Sequence, residues 1–251
     1  MISKLTEFYL PRFIYQSTIT IKTQLSYLFV LGLCFSCSTH NDSETYVPQT
    51  YSILSLGDSY TKGQGVCDTC GYPVQLKDSL AASFNTQDTF NLKVIAETGW
   101  TTAHLITAIT AETITNRYDL VTLLIGVNNQ FQNRPFSVFE DEFPELITMA
   151  TNLAQGNKDN VIVITIPDYA NTGFGQGFGG PAITEEITLY NNYIEEYCSA
   201  NDLNLIDAQD LIFDALTNPE LIATDNLHPS TLAYSNLVTH LLPLATQVIL
   251  D

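Results

Sequence analysis

The chain has 251 residues and a formal net charge of −18, long enough for one sizeable hydrophobic core once an amino-terminal leader is set aside. An acidic balance of this size excludes a basic nucleic-acid footprint and disfavours docking on anionic lipid head groups. It carries no information about fold.

Residues 1–24 hold Lys4, Arg12 and Lys22 against a single acid, Glu7, and an apolar run from Leu25 to Phe35 follows. That run is too short to cross a bilayer as a mature helix. Basic, then apolar, then small residues is the order of a secretory signal. Removing the leader's net +2 leaves −20 on the remainder. The run closes on Leu33-Cys34-Phe35-Ser36-Cys37, which resembles the cleavage box of bacterial lipoproteins, with Cys37 as the lipidated residue. Phe35 departs from the small residue usual at its place. Residues 1–37 therefore read as a signal with lipobox, 38–50 as a flexible tether and 51–251 as the folded domain. The implied location is the cell envelope, on the periplasmic or outer face of a membrane, with lipid as the only membrane contact. Plain signal cleavage, giving a soluble exported protein, is the alternative.

Between Tyr51 and Leu56, alternating apolar residues (Ile53, Leu54, Leu56) run into Gly57-Asp58-Ser59 and a Gly-rich turn, which predicts a short buried strand lifting the Ser59 hydroxyl to its carboxyl-terminal edge. Gly71 to Leu80 has the three-and-four spacing of a helix. Leu92 to Glu97 is a second strand, ending in Thr98-Gly99-Trp100-Thr101-Thr102, and a helix through Ile114 follows. Asp119 to Ile125, nearly all apolar and β-branched, predicts a strand covered on both faces. Phe136 to Ala154 is helical in pattern, with Pro144 expected to kink or divide it. Val161 to Ile166 is a fourth strand. Asn171 to Pro181 reads as a mobile Gly-rich rim, a helix covers about 183–200, and Leu203 to Ile206 is a fifth strand. The last helix begins near Pro229. Strand and helix alternate throughout, so the domain is one three-layer α/β unit with a parallel sheet.

Export makes a local disulfide the preferred reading of Cys67-Asp68-Thr69-Cys70. Zinc would need a second pair of ligands, which the sequence lacks. Cys198 reads as a lone buried thiol.

Near the other end stands Asp225-Asn226-Leu227-His228-Pro229. One short turn lets Asp225 reach Nδ1 of His228 and leaves Nε2 for Ser59, the relation that a serine nucleophile needs with its base and orienting acid. Gly99 and Asn128 close the second and third strands, where a backbone N–H and a side-chain amide can face a developing oxyanion. Singly, each has a bland reading as a turn or cap residue.

Together, Ser59, Gly99, Asn128 and His228 resemble the four blocks of the SGNH hydrolases, also called GDSL esterases, over about residues 51–249. The motifs around Ser59 and Gly99 look closest to bacterial lysophospholipase-like members. The resemblance implies a flavodoxin-like sheet of about five strands and a serine carboxylic-ester hydrolase. It makes Ser59 the nucleophile and His228 the base oriented by Asp225. Ser59, Gly99 and Asn128 would donate to the oxyanion. It implies an acyl-enzyme, a small-molecule ester substrate and no metal or cofactor. Asn129 stands where the family usually has Asp, and Tyr60 where Leu is commoner. Trp100 either lines an acyl pocket or packs, and Asp168 and Tyr169 are candidates to border the substrate. Within the enzyme reading, an acetyl-glycan esterase competes with a lysophospholipase or thioesterase. Two rivals come from other classes: a lipid-anchored binding domain that keeps the fold without catalysis, and a mononucleotide binder. Oligomeric state is open.

Overall fold

A computed structural model describes residues 46–112 and 117–251. The leader, Cys37, most of the tether and the far end of the helix through Ile114 lie outside these residues.

Apolar runs and parallel pairing build the sheet from β1 (Thr50–Gly57), β2 (Thr89–Ala96), β3 (Leu120–Leu124), β4 (Val161–Ile164) and β5 (Asn204–Ile206). All pairs are parallel, in the order β2-β1-β3-β4-β5, the flavodoxin-like arrangement whose strand order reverses beside β1. All five residues of β3 and all four of β4 are buried, as strands covered on both faces must be. Eight helices clothe the sheet among the described residues: α1 (Ser59–Lys62), α2 (Tyr72–Ser83), α3 (Thr102–Ala111), α4 (Val127–Phe131), α5 (Phe136–Leu153), α6 (Gly173–Phe178), α7 (Pro181–Ala200) and α8 (Thr231–Leu250). Helices α2 and α8 pack together on one face, and α3 packs on α5 on the other. Aromatic contacts such as Phe139 with Tyr190, 4.7 Å between centroids, bind α7 to α5.

Two expectations change and a third is narrowed. Of the kink or division expected at Pro144, division does not occur, and helix α5 runs through it as one element. Proline removes the N–H that would have donated to the carbonyl four residues back, and here the Tyr193 hydroxyl of α7 donates to that Glu140 carbonyl at 2.9 Å. The Gly-rich rim holds an ordered turn of helix, α6, with the Thr172 side chain accepting from Gly175 N–H at its start. Residues 46–50 are fastened to the domain rather than free: the Tyr46 hydroxyl donates to Asp88 at 2.6 Å, Gln49 N–H donates to the same carboxylate at 2.8 Å, and Thr50 opens β1.

The end of β1 is the tightest point. A Cβ on Gly57 would lie 2.1 Å from Thr61 Oγ1 and 2.3 Å from the Leu124 carbonyl oxygen. The carbonyl contact cannot be relieved without moving backbone. Gly57→Ala should lower stability by about 3 kcal/mol, the upper part of the range for overpacking a filled core. Urea unfolding reads it as a lower midpoint at unchanged slope, and an unchanged midpoint would contradict this account of the strand end.

Candidate active site

Strand β1 hands the chain to α1 through Gly57-Asp58-Ser59. Asp58 Oδ1 accepts from Tyr60 N–H at 3.0 Å, which turns the backbone and makes Ser59 the first residue of α1, only 5 % exposed. Below it runs a chain of buried hydroxyls. Tyr72 OH lies 3.3 Å from Thr61 Oγ1 and 3.2 Å from Thr122 Oγ1, and Thr122 donates to Ser55 Oγ at 2.9 Å. This network ties α1 to α2 and to both central strands, so the serine stands on a fixed base.

The loop before α8 supplies the histidine. Asp225 Oδ1 accepts from the N–H groups of Leu227 and His228, both at 3.0 Å, and Oδ2 lies 2.7 Å from His228 Nδ1. With Nδ1 donating to a carboxylate, Nε2 is the ring's accepting nitrogen. Asn226 takes the left-handed conformation between them at φ 61°, which asparagine tolerates. The Ala223 N–H donates to the His228 carbonyl at 2.8 Å and closes the loop. Burial pushes the Asp225 carboxyl up, but the hydrogen bonds from His228 and Leu227 together outweigh it and hold it below its ordinary value. The turn after α1 backs this carboxylate: a Cβ on Gly65 would lie 2.8 Å from Asp225 Oδ2. That turn leads into a loop closed by a disulfide between Cys67 and Cys70. Cys198 is a free buried thiol, and burial raises its pKa to about 12.

Gly99 follows β2 with φ 84°. Asn128 follows β3 in α4, and its Nδ2 donates to the Trp100 carbonyl at 3.0 Å. That bond fixes the amide and leaves it one further N–H. Its neighbour, absent from the sequence-level site, clasps the same two loops. Asn129 Oδ1 accepts from Thr102 N–H at 3.0 Å, its Nδ2 donates to Thr102 Oγ1 at 2.6 Å, and Thr102 Oγ1 donates onward to Glu142. An amide meets the donor and the acceptor at once, which gives the asparagine at this position a physical reason. Gln130 was also missed. It accepts from the Tyr169 hydroxyl at 2.8 Å and donates to Glu186 at 2.6 Å.

Ser59, Gly99, Asn128 and His228 line one cavity of about 190 Å³, walled largely by Val127, Phe131, Tyr169, Phe174 and Leu227. Tyr60 and Thr98 complete it, and Tyr60 meets the His228 ring edge-on, 5.9 Å between centroids. Among the described residues no hydrogen bond joins Ser59 Oγ to the His228 ring, a contact that often tightens only when substrate binds. Of the three substrate-side candidates, Tyr169 reaches the cavity. Trp100 does not line it and packs against the core instead. Asp168 is also withdrawn: it is buried, accepting from Ala170 N–H at 2.8 Å and from Thr184 Oγ1 at 2.6 Å. Among the described residues no three His, Cys, Asp or Glu side chains converge as a metal site.

A family model described as GDSL-like lipase/acylhydrolase matches residues 55–235. The chain belongs to that family and is an ester hydrolase of the SGNH type. Solved structures agree in fold. A lipase/acylhydrolase from Enterococcus faecalis is 22 % identical with a TM-score of 0.62, over 78 % of this chain and 96 % of that one. The psychrotrophic esterase EstA from Pseudoalteromonas sp., in a structure inhibited by monoethylphosphonate, is 16 % identical with a TM-score of 0.59, over 80 % and 99 %. The acetylxylan esterase Axe2 from Geobacillus stearothermophilus is 17 % identical with a TM-score of 0.55, over 79 % and 95 %. No curated protein matches the chain.

Asp58 gives the site a measurable pH signature. It is fully buried, its Oδ2 has no hydrogen-bond partner among the described residues, and desolvation raises its pKa to about 7 against the lowering effect of the Tyr60 N–H. A carboxyl whose pKa is raised on folding stabilises fully below its unfolded value of 3.8, and that stability is lost as pH rises through about 7. The melting temperature of Asp58→Asn, relative to wild type, should therefore climb from about pH 4 to about pH 8. A flat difference over that interval would mean that Asp58 does not titrate there.

Proposed function

We propose that the protein cleaves carboxylic esters through an acyl-enzyme on Ser59, with His228 as general base and Asp225 as its orienting acid. The observation that carries the reading is the Asp225–His228 pair at 2.7 Å, whose histidine lines the same cavity as Ser59, Gly99 and Asn128. Ser59 Oγ attacks the ester carbonyl carbon while its proton passes to His228 Nε2. The oxyanion that forms is met by the N–H groups of Ser59 and Gly99 and by the remaining Asn128 amide N–H. Collapse expels the alcohol, which takes the proton from His228. Water then adds to the acyl-enzyme with the same histidine as base, and the acid leaves.

The clasp through Asn129 and Thr102 supports this assignment, because it holds the loop after β2 against the one after β3. Oxyanion donors act only when fixed before the charge develops. The leader supports a further part of the proposal: an exported cell-envelope lipoprotein, anchored through Cys37 and presenting the domain to ester substrates outside the cytoplasm. Labelling with an azido fatty acid in a bacterial host tests it, with incorporation expected in the wild type and absent in Cys37→Ala.

Hydrolysis of p-nitrophenyl butyrate tests the chemistry. Ser59→Ala should lose about 10⁴-fold or more in kcat, and Asn128→Ala about 10²–10³-fold with KM little changed. Turnover that survives in Ser59→Ala would reject the nucleophile, and an unaffected Asn128→Ala would reject the oxyanion assignment.

A further inference from the structure

On the reading just given, the ester carbonyl sits in the cavity beside Ser59, and the cavity opens onto an exposed apolar surface. Phe178 and Phe174 are 53 % and 37 % exposed. They stack on each other with centroids 5.6 Å apart, and Phe178 lies 4.9 Å from Phe131 in the cavity wall. Large aromatic side chains grouped in the open beside a catalytic cavity call for an apolar partner. The helix that carries them is held in place on purpose-built contacts. A Cβ on Gly175 would lie 2.0 Å from the Tyr169 carbonyl oxygen, so α6 lies flat on that backbone. Phe174 N–H donates to the Asn226 carbonyl at 3.0 Å, inside the turn that joins Asp225 to His228. The phenylalanine surface is thus fastened to the acid–base loop itself.

From this we infer that the Phe131, Phe174 and Phe178 rings are an acyl-chain platform that gives the enzyme a preference for medium-length unbranched acyl esters over acetyl esters. The half-open cavity of about 190 Å³ falls below the ~300–1,000 Å³ of pockets that enclose drug-sized ligands. A chain of several carbons fills it and then continues over the rings. The chemistry of the rim favours a hydrocarbon occupant over a sugar. Residues 169–184 carry no charge in a chain of net −18. Aromatic faces also stack on sugars, but sugars need polar side chains around them, and three of those on this segment are turned to internal partners. Thr172 Oγ1 donates to the Tyr169 carbonyl at 2.8 Å, Gln176 Nε2 donates to the Ala170 carbonyl at 3.0 Å, and Thr184 donates to Asp168 at 2.6 Å.

The test compares kcat/KM on p-nitrophenyl acetate, butyrate and octanoate, and on acetylated xylo-oligosaccharide, for wild type, Phe178→Ser and Phe178→Leu. The wild type should rise from acetate to octanoate. In Phe178→Ser the octanoate-to-acetate ratio should fall about tenfold, as expected when roughly two methylene groups lose their apolar cover. Phe178→Leu should restore most of it. Three results would overturn the platform while leaving Ser59 chemistry standing: acetate preferred by the wild type, the oligosaccharide turned over faster than octanoate, or an unchanged ratio in Phe178→Ser. Wild-type inertness on every ester would instead defeat the underlying reading.

Discussion

The carboxyl end of β1 leaves no room for a side chain, and the active-site edge is assembled around that constraint. Gly57 lies against the Leu124 carbonyl of β3 and the Thr61 hydroxyl of α1, so the Ser59 turn, the third-strand loop and the central sheet share one rigid corner. The strand order places β2 on one side of β1 and β3 on the other. The chain therefore leaves neighbouring strands in diverging directions and opens the crevice in which ligands of such sheets bind. A side chain at Gly57 would separate the parts that the chemistry needs together.

Around that corner, precision is maintained by buried polar bonds more than by apolar packing. The hydroxyl chain through Ser55, Thr122, Tyr72 and Thr61 sits under the serine. The Asn129–Thr102 clasp holds the loops after β2 and β3 together. Asp225 uses both carboxylate oxygens, one on backbone and one on the imidazole. Each such bond adds about 1 kcal/mol net, yet leaving a buried partner unmatched costs about 1–3 kcal/mol. That asymmetry favours one geometry strongly over its neighbours. Among the described residues, Asp58 Oδ2 and the Tyr234 hydroxyl are the exceptions, buried without a partner.

Much of this was legible before the coordinates. The buried strands announce themselves because parallel strands covered on both faces must be apolar along their length, as Leu120–Leu124 and Val161–Ile164 are. The Asp225-x-x-His228 spacing is legible because a single turn leaves little freedom in where the carboxylate can go. Long-range compensation was not legible. Pro144 reads as a helix breaker until Tyr193, on another helix, satisfies the carbonyl that the proline frees. Glycine in α6 argues against helix by propensity, and packing on Tyr169 overrides it. Asp168 and Trp100 sit at strand ends facing the active edge, but which way a side chain turns there depends on partners far off in sequence, and both turn away from the cavity. Asn129 and Gln130 were passed over for the same reason, since their partners lie on α3 and α7.

The most direct measurement is covalent capture of the nucleophile. The wild-type domain, treated with a fluorophosphonate ester probe and digested, should carry one phosphonyl group on the peptide containing Ser59, and His228→Ala should label far more slowly because its serine lacks a base. A single adduct on any other residue, or full inhibition of ester hydrolysis with Ser59 unmodified, would contradict the account.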